Sequence, residues 1–213
     1  MTLVNDERAV GDGPVTDRPR QRVRAATPDD APHMATALAQ AFYDDAVFRW
    51  FSPDDDRRRE MLPSFFAVFV DAFMTHGETE VADDMAGAAL WAPPGIEPLN
   101  VEPIYFERLE EIAGPDAPRL FQIGEIFEAH APTEPHYHLQ FLGVVPERQG
   151  EGIGAHLMAP GLERRDREGV AAYLEATSDR NRALYERHGF RAHGDIPLPD
   201  GPALWRMWRD PVG

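Results

Sequence analysis

The chain has 213 residues, 43% of them hydrophobic, which suits one large domain with a proper core and excludes a disordered protein. Its 37 acidic residues against 21 basic ones leave a formal charge of −16, so attraction to a phosphate backbone cannot drive binding, a nucleic-acid partner is not expected, and a cationic substrate is drawn in. Cysteine and lysine are both absent, which excludes disulfides, thiolate metal sites, a cysteine-borne acyl intermediate, Schiff-base chemistry and a phosphate-binding lysine.

No apolar run approaches the roughly 20 residues of a membrane helix, and the N-terminus is polar and acidic, so a cytoplasmic protein with no membrane partner is expected. Residues 1–20 mix glycine, proline and scattered charge with no hydrophobic period; they are expected to form a disordered leader before a single domain over 21–213. Residues 23–26 read as a short strand. Thr27-Pro28-Asp29-Asp30 sets a capping hydroxyl before proline and acids, opening a helix over 28–42 in which Met34, Leu38, Ala41 and Phe42 share one face. After the polar break Tyr43-Asp44-Asp45-Ala46, residues 47–51 are too apolar for an exposed loop and something is expected to cover them.

Met61, Phe65, Phe69 and Phe73, spaced by four, predict a core-facing helix over 57–76 that stops at Gly77, with Asp54-Asp55-Asp56 before Arg57-Arg58-Arg59 as its acid-first start. Residues 80–82 and 85–91 read as a hairpin turning at Asp83-Asp84 and ended by Pro93-Pro94-Gly95. Residues 96–131, punctuated by proline but helical at 105–112 and 118–128, look like an insertion. From His136 onward the elements alternate: strand 136–145, loop 146–151, helix 152–169, strand 172–177, helix 179–188, then strands 190–196 and 204–209. This order predicts an α/β domain with a mixed sheet.

Gln149-Gly150-Glu151-Gly152-Ile153-Gly154-Ala155 falls between a predicted strand and a predicted helix, where glycines leave backbone N–H groups unshielded at the positive end of the helix dipole. Such a turn cradles phosphate. Gly150, Gly152 and Ala155 fit the dinucleotide pattern G-x-G-x-x-G/A, and Glu175 follows where a ribose-binding acid belongs. Only about 60 residues remain after the turn, too few to complete a six-stranded dinucleotide fold, so a dinucleotide-dependent oxidoreductase ranks second.

The same residues also read as Gln149-x-x-Gly152-x-Gly154, and downstream comes Asn181-Arg182-Ala183-Leu184-Tyr185-Glu186-Arg187-His188-Gly189-Phe190. In this order, joined by a strand, the two runs resemble the signatures of the GNAT family of N-acetyltransferases: the acetyl-CoA pyrophosphate loop and N-x-x-A-x-x-Y-x-x-x-G-F. The spacing from Asn181 to Ala183 is one residue shorter than the common form. Val23-Arg24-x-Ala26-Thr27-x-x-Asp30 is similar to the family's first strand and helix, so the resemblance covers residues 21–210. Within the family, Phe141 to Asp210 is most similar to the branch that acetylates aminonucleoside antibiotics, through Gly143-Val144, Pro160-Gly161, Leu174-Glu175 and Pro199-x-Gly201-Pro202, whereas residues 30–130 match it poorly.

The resemblance implies an α/β (α+β) GNAT fold, with a central mixed, mostly antiparallel twisted sheet flanked by helices and splayed around an acetyl-CoA site. It implies an acyltransferase, a monomer or homodimer, moving acetyl from acetyl-CoA to a primary amine of a small molecule, an antibiotic-inactivating role included. Direct attack in a ternary complex suits a chain without cysteine. A catalytically silent acyl-CoA sensor is the third alternative.

By the same resemblance the pantetheine arm pairs with the backbone of Leu142, Gly143, Val144 and Val145, and the Val144 N–H polarises the thioester carbonyl. The pyrophosphate rests on the N–H groups of Gln149, Gly150, Glu151, Gly152, Ile153, Gly154 and Ala155, with Arg148 adding a charged contact and Asn181 bonding the arm. Tyr185 stands where the family keeps a tyrosine facing the CoA sulfur, the general acid; the alternative is a ring packed with Leu184 and Phe190 at a helix end. Along 136–145 side chains alternate, His136, His138 and Gln140 one way, Tyr137, Leu139 and Phe141 the other. His138 occupies the place of the glutamate base of the histone-modifying branch, and histidine suits proton abstraction near neutral pH. The alternative is a structural strand histidine or a substrate contact. His136 and His138 share a face but lack a third ligand, so no metal is expected. Asp44, Asp45, Glu125 and Glu128 border the acceptor cleft by resemblance, to attract an amine or act as base, or else as solvated surface. Glu175 is expected to hydrogen-bond within the sheet or turn. Trp50, Phe51 and Phe66 are candidates to line a pocket for a planar acceptor, with core packing as the default.

Overall fold

The structure, a computed structural model, describes residues 22–213; the leader expected over residues 1–20 lies outside them. After β1 (Val23–Ala25), Asp30 Oδ2 accepts from the Thr27 N–H at 2.7 Å and from its hydroxyl at 2.8 Å, so the expected start at Thr27 is reinforced by a capping box. A 3-10 turn (Pro28–Asp30) then leads into α1 (Ala31–Phe42). Residues 47–51 are covered as expected, with Val47, Phe48 and Phe51 buried, and they form the helix α2 (Ala46–Phe51) rather than a loop. The reason is Asp45, whose Oδ1 accepts from the N–H groups of Val47 at 2.8 Å and Phe48 at 3.4 Å, donors that a helix start leaves orphaned. Asp54 caps α3 (Asp55–His76) in the same manner, from Arg57 N–H at 2.9 Å.

The aromatic stripe of α3 is core, as its spacing predicts: Phe65, Phe66, Phe69 and Phe73 are buried together with Phe42, Phe48 and Phe51. The hairpin is β2 (Glu78–Ala82) and β3 (Gly87–Ala92). Residues 96–131 form α4 (Pro98–Val101), α5 (Pro103–Ala113) and α6 (Ala117–His130), a layer packed on α3 that closes back toward the last strands. Then follow β4 (His136–Val144), α7 (Ile153–Glu168), β5 (Ala171–Ala176), α8 (Asp179–Arg187), β6 (Arg191–Pro197) and β7 (Ala203–Arg209).

Among the described residues seven strands make one sheet in the order β1-β2-β3-β4-β5-β7-β6, with β4 and β5 the parallel pair and every other neighbouring pair antiparallel. This overturns the dinucleotide alternative: the unit around the glycine turn is parallel, as that fold requires, but a doubly wound sheet needs further parallel strands beside it and here every other pair is antiparallel. Helices α1 to α6 cover one face over the aromatic core; α7 and α8 cover the other over Trp91, Leu139, Leu142, Leu174 and Met207. Arg165 clamps α7 to the sheet: fully buried, it lies 3.6 Å over the Tyr137 ring and 2.7 Å from Glu78.

Two irregularities of β4 shape the site. Leu90 pairs with Phe141 but Trp91 with Leu139, so Gln140 has no partner and the strand bulges. The bulge corrects the unbroken alternation expected along 136–145: Tyr137 and Leu139 face the α7 side, yet past the extra residue Leu142 and Val144 take that side and Phe141 crosses into the aromatic core, 4.9 Å from Phe69. Secondly, β5 pairs with β4 only from His136 opposite Ala171 to His138 opposite Tyr173. Beyond His138 the two strands part into a V.

Candidate active site

On an antiparallel strand, backbone groups of successive residues point to opposite sides. The Val145 N–H goes to Ala86 O at 2.8 Å, on the hairpin side, so the groups of Val144 and Leu142 point into the V. Gln149 confirms the direction, its Nε2 donating to Val144 O at 3.0 Å. Of the four residues expected to pair with a cofactor arm, then, Leu142 and Val144 offer N–H groups inward while Gly143 and Val145 turn to β3. Gly143 matters through its missing side chain: a Cβ there would come within 3.1 Å of Leu38, Ala41 and Phe42.

At the mouth of the V the chain crosses a 3-10 turn (Pro146–Arg148) into the glycine loop. Gly150 and Gly152 take φ values of 82° and 81°, the left-handed region glycine enters without strain, and Gly152 caps α7. The first-turn N–H groups of α7, those of Ile153, Gly154 and Ala155 among them, have no acceptor within the helix and form its positive end. Among the described residues, a Cβ on Gly152 would meet no atom within 4 Å, which leaves room beside this end of the loop for a ligand. Arg148 is placed differently from its expected role. Its guanidinium pairs with Asp84 at 2.6 Å and Glu151 at 2.8 Å, so two carboxylates offset its charge and it braces the loop against the β2–β3 turn.

His138 stands at the apex of the V. Its Nε2 bonds Glu175 Oε2 at 2.8 Å, and the Glu175 side chain is only 2% exposed. Burial acts to raise the Glu175 carboxyl, but the charge of a protonated His138, its hydrogen bond and the Tyr173 hydroxyl are among the interactions that outweigh it and hold the group well below the usual carboxylate range. An ionised Glu175 accepts in either form of the ring, so in the neutral imidazole Nε2 carries the proton and Nδ1 the lone pair, and the charge that lowers Glu175 belongs to the imidazolium. Glu175 thus bonds across to the neighbouring strand and orients a candidate base. Sequence reasoning weighed it as a sheet or turn residue; the signal it overlooked is a lone acid in an otherwise apolar strand, in phase with Tyr173 and Thr177. Rings surround this pair, with Tyr173 5.2 Å from both His136 and His138 and Trp208 5.6 Å from His136.

Tyr185 lies on α8, where Ser178 caps the helix. Its ring packs 5.8 Å from Phe190, yet its hydroxyl is fully buried and, among the described residues, has no hydrogen-bond partner. Burial, together with the charges of Glu175 and Asp45, pushes this phenol well above its ordinary value, so it keeps its proton. Asp45 approaches from α2: besides capping that helix, its Oδ2 accepts from Thr177 Oγ1 at 3.0 Å, and Thr177 in turn accepts from Asn181 Nδ2 at 3.4 Å. Burial pushes the Asp45 carboxyl up to about 6.

Contacts link these residues in two groups, His138 to Glu175 and Asp45 through Thr177 to Asn181, with the charges of Glu175 and Asp45 both acting on Tyr185, but they do not include every candidate. Asp44, Glu125 and Glu128 are exposed. Phe51 and Phe66 are core, and the Trp50 indole donates to Pro199 O at 2.9 Å while packing on Gly201, which latches α2 to the β6–β7 turn.

Comparison with known proteins agrees. The sequence pattern described as an acetyltransferase (GNAT) domain matches residues 120–192. A solved structure of histone acetyltransferase HPA2 and related acetyltransferase from Corynebacterium glutamicum is 31% identical, with a TM-score of 0.71 over 91% of this chain and 97% of that one. The chain belongs to the GNAT acetyltransferases. An N-acetyltransferase of Schizosaccharomyces pombe is 27% identical over 172 residues, 73% of this chain and 68% of that protein. Arylalkylamine N-acetyltransferase 2 of Aedes aegypti, 14% identical with a TM-score of 0.61 over 91% and 100% of the two chains, shares the fold.

GNAT acetyltransferases use acetyl-CoA, and the groups of this acetyltransferase fit it: inward N–H groups at Leu142 and Val144, an open glycine loop, and an orphaned buried hydroxyl at Tyr185. Among the described residues no cluster of three or more histidine or acidic side chains is placed to hold a metal, and no helix is long and apolar enough to cross a membrane.

Proposed function

We propose that this acetyltransferase moves the acetyl group of acetyl-CoA onto a primary amine of a small molecule by direct attack, with His138 as base and Tyr185 as acid. One observation carries the assignment: a carboxylate-oriented histidine at the apex of the V and an unpartnered phenol buried beside the same carboxylate. Acetyl-CoA, held along Leu142 and Val144, on residues 149–155 and by Asn181, supplies an activated thioester. His138 takes a proton from the amine at Nδ1 while Glu175 holds the imidazole by Nε2 and stabilises the imidazolium that forms. The Val144 N–H, fixed by the strand and the Gln149 contact, is aimed where negative charge develops on the carbonyl oxygen. Tyr185 delivers its proton to the departing sulfur; burial keeps the phenol protonated until then.

A silent sensor would need neither group, and the enzymatic reading is the one both support. The acceptor is an amine because His138 needs an ammonium proton to remove and the −16 charge favours cations; the aminonucleoside type is suggested by the resemblance of Phe141 to Asp210. The test is thiol release from acetyl-CoA, followed with a thiol-reactive dye, over puromycin, polyamines, aminoglycosides and arylalkylamines. The protein has no cysteine and so adds no background. His138→Ala and Tyr185→Phe are each expected to lower kcat about 10²-fold or more with an accepted amine, in line with general acid–base contributions. Unchanged turnover in either variant removes that residue from its role; binding of NAD(H) in place of acetyl-CoA would remove the proposal entirely.

A further inference from the structure

We propose that Asp45 sets the polarity of a hydrogen-bond relay, so that Asn181 presents its side-chain oxygen rather than its NH2 to the cofactor arm. The inference rests on the proposal above that Asn181 contacts that arm. The relay starts on α2, one side of the sheet, and ends on α8, the other, crossing at Thr177 just past the end of β5. An ionised carboxylate only accepts, so Thr177 must spend its single hydroxyl proton on Asp45, 3.0 Å away. Only lone pairs then remain on Thr177 Oγ1, and Asn181 has to turn Nδ2 toward it, at 3.4 Å. The helix fixes the rest: Asn181 N–H is taken by Ser178 Oγ at 3.2 Å, and the residue is buried, which leaves little freedom but the flip of the amide.

Among the described residues Asn181 Oδ1 accepts no hydrogen bond, so the relay has a donor-seeking free end. The ligand chemistry that matches it is an amide N–H, which the pantetheine arm carries. No direct contact between Asp45 and the cofactor is needed; it acts as a positioning residue, through two other side chains. Its second duty, capping α2, ties the wall on the acceptor side to the orientation of the cofactor side.

Calorimetric titration of acetyl-CoA into the full chain at pH 8 tests this, with unfolding curves run on each variant. In Asp45→Asn the new amide caps α2 and donates to Thr177, whose proton turns to Asn181 and flips it; the expected result is about a tenfold higher Kd in a protein no less stable. Thr177→Val is expected to weaken binding similarly and Thr177→Ser to restore it. In an Asn181→Ala background, Asp45→Asn should add less than twofold, which a merely structural role for Asp45 does not predict. If Asn181→Ala weakens binding but Asp45→Asn stays within twofold of the parent, the polarity relay is wrong while the Asn181 contact stands. If Asn181→Ala itself leaves Kd unchanged, the contact is wrong and the relay has nothing to orient.

Discussion

Burial pushes the Asp45 carboxyl up to about 6, about two units above its ordinary value, because among the described residues no cation lies against it and three donors replace only part of its lost water. The sign follows. A group whose folded-state pKa is raised stabilises the fold fully below its unfolded pKa, and that contribution is lost as pH rises from about 4 through about 6. The ionised form thus costs on the order of 3 kcal/mol above pH 7. Asp45→Asn should be near neutral at pH 4 and stabilising at pH 8 in urea unfolding; an equal effect at both pH values would show that burial does not raise this carboxyl. Tyr185 makes a parallel case. Its hydroxyl is desolvated without a partner, an arrangement worth about 1–3 kcal/mol of lost stability, so Tyr185→Phe is expected to raise stability while turnover falls. A stabilised, inactive variant separates catalytic from packing duty in one protein. Reduced stability would mean that the hydroxyl is bonded in solution.

At the scale of elements, the V depends on β4 being bent by its bulge and pressed from behind by α1. Gly143 permits that pressure, since a Cβ would sit 2.9–3.1 Å from Leu38, Ala41 and Phe42. Gly143→Ala is therefore expected to cost about 1–3 kcal/mol as overpacking. Gly124, in α6 with open space around it, provides the control: Gly124→Ala should stabilise by up to about 1 kcal/mol through helix propensity alone. Paired thermal melts decide it, and equal shifts would mean α1 yields freely. The same elements show what sequence can hold. Caps at Thr27 and Asp54, the stripe from Met61 to Phe73 and the loop at Gly150 to Gly154 are local signals, read within one or two turns of chain. The bulge at Gln140 was hidden because it is a matter of register between two strands, and α2 was missed because its cap, Asp45, looked like part of a polar break. Glu175 and His138 each appeared as a strand residue. Their bond forms only because β4 and β5 run parallel and in phase at this point, a long-range fact that no single strand carries.

For the molecule as a whole, the net charge acts differently on the two substrates. A chain of −16 repels the polyanionic acetyl-CoA and attracts a cationic amine, and its paired guanidiniums at the loop do little to relieve the first effect, since Arg148 is shared by Asp84 and Glu151. The glycine loop must then bind phosphate through backbone N–H groups, at short range, against an unfavourable long-range field. Salt shortens that field, from a Debye length of about 30 Å at 0.01 M to about 8 Å at 0.15 M, but leaves contact-range hydrogen bonds almost untouched. Raising ionic strength over that range should therefore lower KM for acetyl-CoA by a few-fold and raise KM for the amine by a similar factor, with kcat little changed. Steady-state kinetics with each substrate varied in turn measures both slopes. Slopes of the same sign would show that the local field at the V, rather than the overall charge, governs encounter, and an acceptor KM indifferent to salt would argue that the amine reaches His138 already neutral.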